Sequence, residues 1–260
     1  MRIKPIKNLG QNFLINDNIS KKIVALASIT SKCTILEVGS GKHALTKFIC
    51  KDNPKKFIVV EYDNFLHSLN LNLFKNTNYK SVNMDINKFD ESKYFDEKIT
   101  IISNLPYNIS NTLLIKWIKL QASTNKVKKM ILMFQKELAE RIISNINNKK
   151  YGRISVISKA FFEVNIKINV GKNNFFPKPK VDSCVLEFNP LKKATIDFKD
   201  IVKLEKITNF FFNSRRKKNK KKIKQLFSEE QIEKYRFHTY YDLRPENIPA
   251  DIYHLMAKII

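Results

Sequence analysis

Apolar positions fall along this chain in two textures, and the change between them sets the first expectations. After Asn16-Asp17, a pair able to cap a helix, Ile19, Ile23, Leu26 and Ala27 recur at helical spacing. Cys33–Val38 is a short apolar strand, Phe57–Val60 a second one closed by Glu61 and Asp63, and a weaker third ends at Val82, before Asn83, Met84 and Asp85. Ile99–Ile102 reads as a buried β-branched strand. A helix from Ser110 follows, with Leu113, Leu114, Trp117 and Gln121 along one face; Met130–Phe134 is a fifth strand and Leu138–Ile146 the helix after it. This alternation, about four units long, predicts a doubly wound parallel sheet. From Phe161 the period shortens to two. Phe162–Val170 and Val181–Phe188, joined by Phe175-Phe176-Pro177-Lys178-Pro179-Lys180, predict an antiparallel hairpin at one edge. Past Pro190 and a polar stretch the signals are helical only, and the last helix begins near Pro249 with Ile252, Leu255, Met256 and Ile259 on one face. The expected fold class is α/β, a mostly parallel sheet with an antiparallel edge hairpin over residues 1–194, followed by a small all-helical domain over 195–260. No internal repeat is apparent.

Composition narrows the partners. The formal charge is +24, from 48 basic and 24 acidic residues, which calls for a polyanion, either nucleic acid or an anionic membrane surface. Heavy use of Lys, Asn and Ile throughout makes the placement of charge more informative than its total. The three cysteines and four histidines are scattered without ligand spacing, so no metal site is expected. No secretory h-region follows Met1 and no apolar run approaches the ~18 residues of a membrane span. The expectation is a cytoplasmic protein with no membrane partner.

Candidate chemistry gathers at strand ends. Asn104-Leu105-Pro106-Tyr107 ends the Ile99 strand, where Pro106 fixes its own φ and turns Leu105 away from helical geometry. An amide side chain, a backbone carbonyl and an aromatic ring then meet at the carboxyl edge of the sheet, where open α/β sheets bind ligands. Two acceptors beside a ring suit a planar base bearing an exocyclic amine; a simple Pro-induced turn is the plain alternative. Gly39-Ser40-Gly41, between a strand and a helix, lets backbone pass close to a ligand, and Glu61 lies where an acid accepts from ribose hydroxyls. Together they indicate an adenosine-containing cofactor, with NAD admitted by the loose pattern Gly39-x-Gly41-x-x-Ala44. Asp85 stands at the third strand's end, either accepting from an adenine amine or beginning a turn. Gly39, Glu61, Asp85 and Asn104 all fall on one edge of a parallel sheet. The densest charge is Arg215–Lys224, where Arg215, Arg216, Lys217, Lys218, Lys220, Lys221 and Lys222 are candidate phosphate contacts; a solvated helix face or a localisation signal is the alternative.

These residues resemble the KsgA-type ribosomal RNA adenine N6-dimethyltransferases nearly end to end. Gly10-Gln11-Asn12-Phe13-Leu14 is similar to that family's amino-terminal motif, Glu37-Val38-Gly39-Ser40-Gly41 to its cofactor loop, and Asn104-Leu105-Pro106-Tyr107-Asn108-Ile109-Ser110 to its catalytic loop. Phe175–Ser183 resembles its late aromatic-proline motif, and Phe212–Lys217 and Arg244–Ile248 its carboxyl-terminal domain. The resemblance implies a Rossmann-like class I methyltransferase sheet and S-adenosyl-L-methionine as donor, contacted by Asn12, Leu14, Gly39, Gly41, Glu61, Asp85 and Asn104. It implies catalysis at Asn104, Leu105, Pro106 and Tyr107, with Phe175 stacking on the target base; Phe176 could substitute, but the spacing favours Phe175. The implied partner is the small ribosomal subunit with its RNA, met by a monomer. Two positions depart from the family pattern: Ser40 stands where Pro is usual and His43 where a further Gly is common. Rival readings are a large-subunit adenine methylase, a non-catalytic assembly or transcription factor on the same fold, and an NAD dehydrogenase.

Overall fold

The β-branched run at Ile99 forms an inner strand of a seven-stranded sheet. In this computed structural model, which describes residues 10–260, the strands are β1 (Phe13–Leu14), β2 (Thr34–Val38), β3 (Lys56–Glu61), β4 (Lys80–Asn83), β5 (Ile99–Asn104), β6 (Val127–Gln135), β7 (Phe162–Val170), β8 (Phe175–Phe176) and β9 (Ser183–Pro190). The basic residues before Gly10 lie outside the described part. Sheet order is β4-β3-β2-β5-β6-β9-β7, with β4 to β6 parallel and β9 antiparallel to β6. The expected parallel sheet with its antiparallel edge hairpin is therefore what the chain forms. β2 is buried along its whole length and β5 up to Ser103, as strands covered on both faces must be. β4 is a polar edge strand with no fully buried residue, which accounts for its weak signal. Order reverses between β2 and β5, so the crevice at their carboxyl ends is the switch point where such sheets take ligands.

The helices are α1 (Asp17–Ala25), α2 (Thr46–Lys51), α3 (Asn64–Phe74), α4 (Ser110–Thr124), α5 (Lys136–Ile143), α6 (Arg153–Lys159), α7 (Ile201–Phe212), α8 (Lys220–Leu226), α9 (Glu229–Lys234) and α10 (Ala250–Ile259). Asn16 caps α1, its side chain accepting from the amides of Asn18 and Ile19. Asp63 caps α3 in the same way, so this acid belongs to the helix start. α4 buries Leu113, Leu114, Trp117 and Gln121, the face read from the sequence.

The chain divides into two compact units. One runs to Ala139 and resumes over Asn165–Asn189; the other comprises Glu140–Val164 and Pro190–Ile260. Residues 140–164 thus join the later helices, whereas the sequence pattern placed a single boundary at 194/195. In the second unit α6 packs against α7 and α10. Buried His254 of α10 bonds the Val156 carbonyl through Nε2 at 2.9 Å, and its Nδ1 lies 2.8 Å from Thr195 Oγ1. Among the described residues, no helix is long and apolar enough to cross a membrane, and no cluster of His, Cys, Asp or Glu has the makings of a metal site.

Candidate active site

Small polar side chains tie the carboxyl ends of the strands together. Ser103 Oγ donates to the Val38 carbonyl at 2.5 Å, linking β5 to β2. Asn83 Nδ2 donates to the carbonyls of Glu61 and Tyr62 at 3.0 and 3.2 Å, linking β4 to β3. Over this edge opens a cavity of about 320 Å³, at the small end of the roughly 300–1,000 Å³ range of ligand pockets. Gly39, Glu61, Asp85 and Asn104 all line it, as do Asn12, Leu14 and Gly41.

The two loop glycines serve different needs. At Gly39, φ is +71° and an added Cβ would meet nothing within 4 Å, so bare backbone faces open cavity. At Gly41, φ is +54° and a Cβ would come within 3.0 Å of the Phe13 ring, so this glycine lets the amino-terminal segment pack onto the loop. Glu61 accepts from Gly41 N at 3.2 Å, Ser40 Oγ at 3.4 Å and Asp63 N at 3.1 Å. Ser40, at the first departure from the family pattern, thus gives Glu61 a hydroxyl donor that proline could not provide. Burial pushes the Glu61 carboxyl above its ordinary pKa, and the amides of Asp63 and Gly41 oppose the shift. Beneath it, Glu37 is fully buried; desolvation, with the Glu61 charge adding, pushes it up to about 8 against the restraining effect of Thr46. One Glu37 oxygen has no hydrogen-bond partner. Asp85 closes a turn, its Oδ1 accepting from Asn87 N and Nδ2, while among the described residues its Oδ2 makes no bond.

The catalytic-loop candidates are held from the amino-terminal segment. Asn104 Nδ2 donates to the Asn12 carbonyl at 3.0 Å, and a carbonyl partner fixes which end of the amide is nitrogen, leaving Oδ1 as a free acceptor. Leu105 follows the last ladder pair, Asn104 with Met133, and Pro106 closes the turn by accepting from Ile109 N. Asn104, Leu105 and Pro106 line the cavity; Tyr107 and Phe175 do not. Tyr107 is tethered outside it, its hydroxyl 2.6 Å from Ser183 Oγ. The two candidate stacking rings are placed differently. β8 pairs antiparallel with β1, Phe13 opposite Phe176 and Leu14 opposite Phe175, and strand alternation sends the two phenylalanines to opposite sides. Phe175 is 2% exposed within the core, whereas Phe176 is 54% exposed.

The basic run belongs to the second unit and is not uniform. Arg215 donates to Glu246 and to the Lys149 carbonyl at 2.7 Å, and Lys222, 8% exposed, donates to the carbonyls of Phe211 and Ser214. These two cations hold α7 and its surroundings. Lys218 pairs with Asp242 at 2.8 Å on the surface, and Arg216, Lys217, Lys220 and Lys221 are exposed. Buried Asn219, the one neutral polar residue in the run, anchors it by donating to Tyr241 and Leu243 carbonyls. Tyr62 and Ile86 also line the cavity and were not singled out in the sequence. Each neighbours a residue that was, and that adjacency was the signal available.

The family model for ribosomal RNA adenine dimethylase matches residues 4–260. The "Ribosomal RNA small subunit methyltransferase A" of Pelagibacter ubique (strain HTCC1062) is 42% identical, over 99% of this chain and 97% of its own. The protein of that name from Wigglesworthia glossinidia brevipalpis is 39% identical over 96% and 95%. Among solved structures, a dimethyladenosine transferase from Plasmodium falciparum superposes with a TM-score of 0.77 at 25% identity, covering 95% of this chain and 96% of its own. The 23S rRNA methyltransferase ErmE, at 18% identity and a TM-score of 0.69 over 95% and 99%, shares the fold. With its strand order, its glycine loop and its Asn-Leu-Pro-Tyr turn, this chain belongs to the ribosomal RNA adenine dimethylase family.

Proposed function

We propose that this protein transfers methyl groups from S-adenosyl-L-methionine to the N6 amines of two adjacent adenines near the 3′ end of small-subunit ribosomal RNA, giving N6,N6-dimethyladenosine. It would act as a cytoplasmic monomer in small-subunit biogenesis. The observation that carries this reading is the Asn104 amide, whose nitrogen is committed to Asn12 and whose oxygen is left to accept at the cavity. The names of the two bacterial relatives support the substrate class.

The cavity's residues fit the cofactor. Gly39 leaves open space where a ligand would lie against backbone. Glu61 uses three of roughly four acceptor positions on protein donors, and the remainder suits a ribose hydroxyl. The free Oδ2 of Asp85 suits an adenine amine. When bound, S-adenosylmethionine supplies a methyl group made electrophilic by its sulfonium.

The target amine is a weak nucleophile because its lone pair is delocalised into the ring, and transfer makes that nitrogen tetrahedral and positive. Asn104 Oδ1 and the Leu105 carbonyl accept its two hydrogens, aim the lone pair and stabilise the growing charge with dipoles already in place. The methylated ammonium is acidic enough to lose its proton to solvent, so no strong general base is required. Tyr107, steadied by Ser183, and exposed Phe176 offer faces for the extruded base, stacking being worth ~1–3 kcal/mol per base. Exposed Arg216, Lys217, Lys220 and Lys221 serve the phosphates.

Transfer of labelled methyl to small and large subunits that lack the modification tests the reading. Incorporation into the small subunit alone is expected. Incorporation into the large subunit only, or binding of small subunits without transfer, would replace it by the large-subunit or the non-catalytic alternative.

A further inference from the structure

His43, two residues past Gly41, sits in the left-handed region with φ +63°, where an L side chain is strained and glycine is not. Its amide closes the loop's own turn on the Ser40 carbonyl at 2.9 Å. Its ring reaches out of the loop to α3, where Nε2 lies 2.9 Å from Asn70 Oδ1. Asn70 is fully buried, and its Nδ2 donates to Ser81 Oγ on β4 at 3.2 Å, which in turn lies 2.8 Å from His67 Nδ1. With its nitrogen turned to Ser81, the Asn70 amide presents oxygen to His43, so Nε2 carries the proton and donates. Burial lowers the His43 pKa, in keeping with a neutral ring. The same loop is latched on its other side by Ser40 and Gly41 to Glu61.

We propose that Asn70 is a positioning residue for the cofactor loop: by accepting from His43 it holds the left-handed turn after Gly41 in the shape that presents Gly39 and Glu61 to S-adenosylmethionine. The pair replaces, by a part-buried hydrogen bond, the conformational freedom a glycine would bring to position 43. This rests on the cofactor reading given above. Asn70 on α3 and Ser81 on β4, which do not line the cavity, then act on cofactor affinity.

His43→Ala and His43→Gly separate this from a general packing role, because both remove the ring while only alanine keeps the backbone strain. Calorimetry with S-adenosylmethionine should show His43→Ala binding about tenfold more weakly than wild type and His43→Gly within about twofold of it. kcat at saturating cofactor should stay within about twofold for both. Asn70→Ala should weaken binding about tenfold with His43 in place and less than twofold in the His43→Gly background, and thermal midpoints record whether each variant is folded. Equal affinity of His43→Ala and His43→Gly would overturn the proposal, and so would an equal loss on Asn70→Ala in both backgrounds. A wild-type protein that takes up no S-adenosylmethionine would overturn the cofactor reading as well, whereas tight wild-type binding without coupling between the two positions overturns this inference alone.

Discussion

Glu37 is a carboxylic acid folded in its neutral form. Its ordinary pKa of 4.5 rises to about 8 in the fold because burial disfavours the charge. Between those values the native state keeps a proton that the unfolded chain releases, so stability is fully present below pH 4.5 and falls as pH rises toward 8, by about 1.4 kcal/mol per unit at the steepest. The raised pKa of Glu61 acts in the same direction. Glu37→Gln should flatten that profile and gain stability relative to wild type at the alkaline end. Denaturant unfolding at a series of pH values checks this, and an unchanged slope would mean the acid is already ionised. The two phenylalanines of β8 give a second residue-level prediction. Phe175→Ala should lower stability by about 3–5 kcal/mol, as a large core ring does, whereas Phe176→Ala should leave the thermal midpoint intact and weaken RNA turnover about ten- to a hundredfold. Such details separate what the sequence discloses from what it does not. Asn104, Glu61 and Gly39 were legible because strand ends and spacing put them on one edge. Which of Phe175 and Phe176 faces solvent depends on pairing with β1, a contact between residues more than 150 positions apart that no local pattern records.

Elements were legible where burial wrote a period. β2, β5 and β6 are apolar runs because a parallel sheet is covered on both faces, and α4 shows its stripe because one face meets the core. α6 lacked such a stripe. Ile154, Ser155, Val156, Ile157 and Ser158 are all buried, and this alternation of β-branched residues with serine has no helical period; packing against α7 and α10 makes the helix against local preference. The same packing carries residues 140–164 into the second unit. The basic run likewise read as one feature and divides into two. Lys222→Ala should lower stability by about 1–3 kcal/mol, since its ammonium satisfies the buried Phe211 carbonyl in the last turn of α7 and the part-buried Ser214 carbonyl just beyond it. Lys217→Ala and Lys221→Ala should leave stability unchanged and each flatten the salt dependence of RNA binding by about 0.7–0.9 of a log unit per log unit of salt. Filter binding across a salt series with a parallel melt distinguishes the two outcomes.

At the scale of the whole molecule, an open sheet gathers one edge from distant parts of the chain, and the second unit carries the exposed cations that the proposed function assigns to RNA phosphates. The excess of 24 positive charges pointed to such a partner but not to its use, because lysines that serve structure and lysines that serve phosphate look alike in composition. The central claim is that Asn104 orients the adenine amine for methyl transfer. Labelled methyl incorporation into small subunits lacking the modification, wild type against Asn104→Ala at saturating S-adenosylmethionine, tests it most directly. A loss of about a hundredfold or more in turnover is expected, with small subunits still bound. Equal incorporation by the two proteins would contradict it.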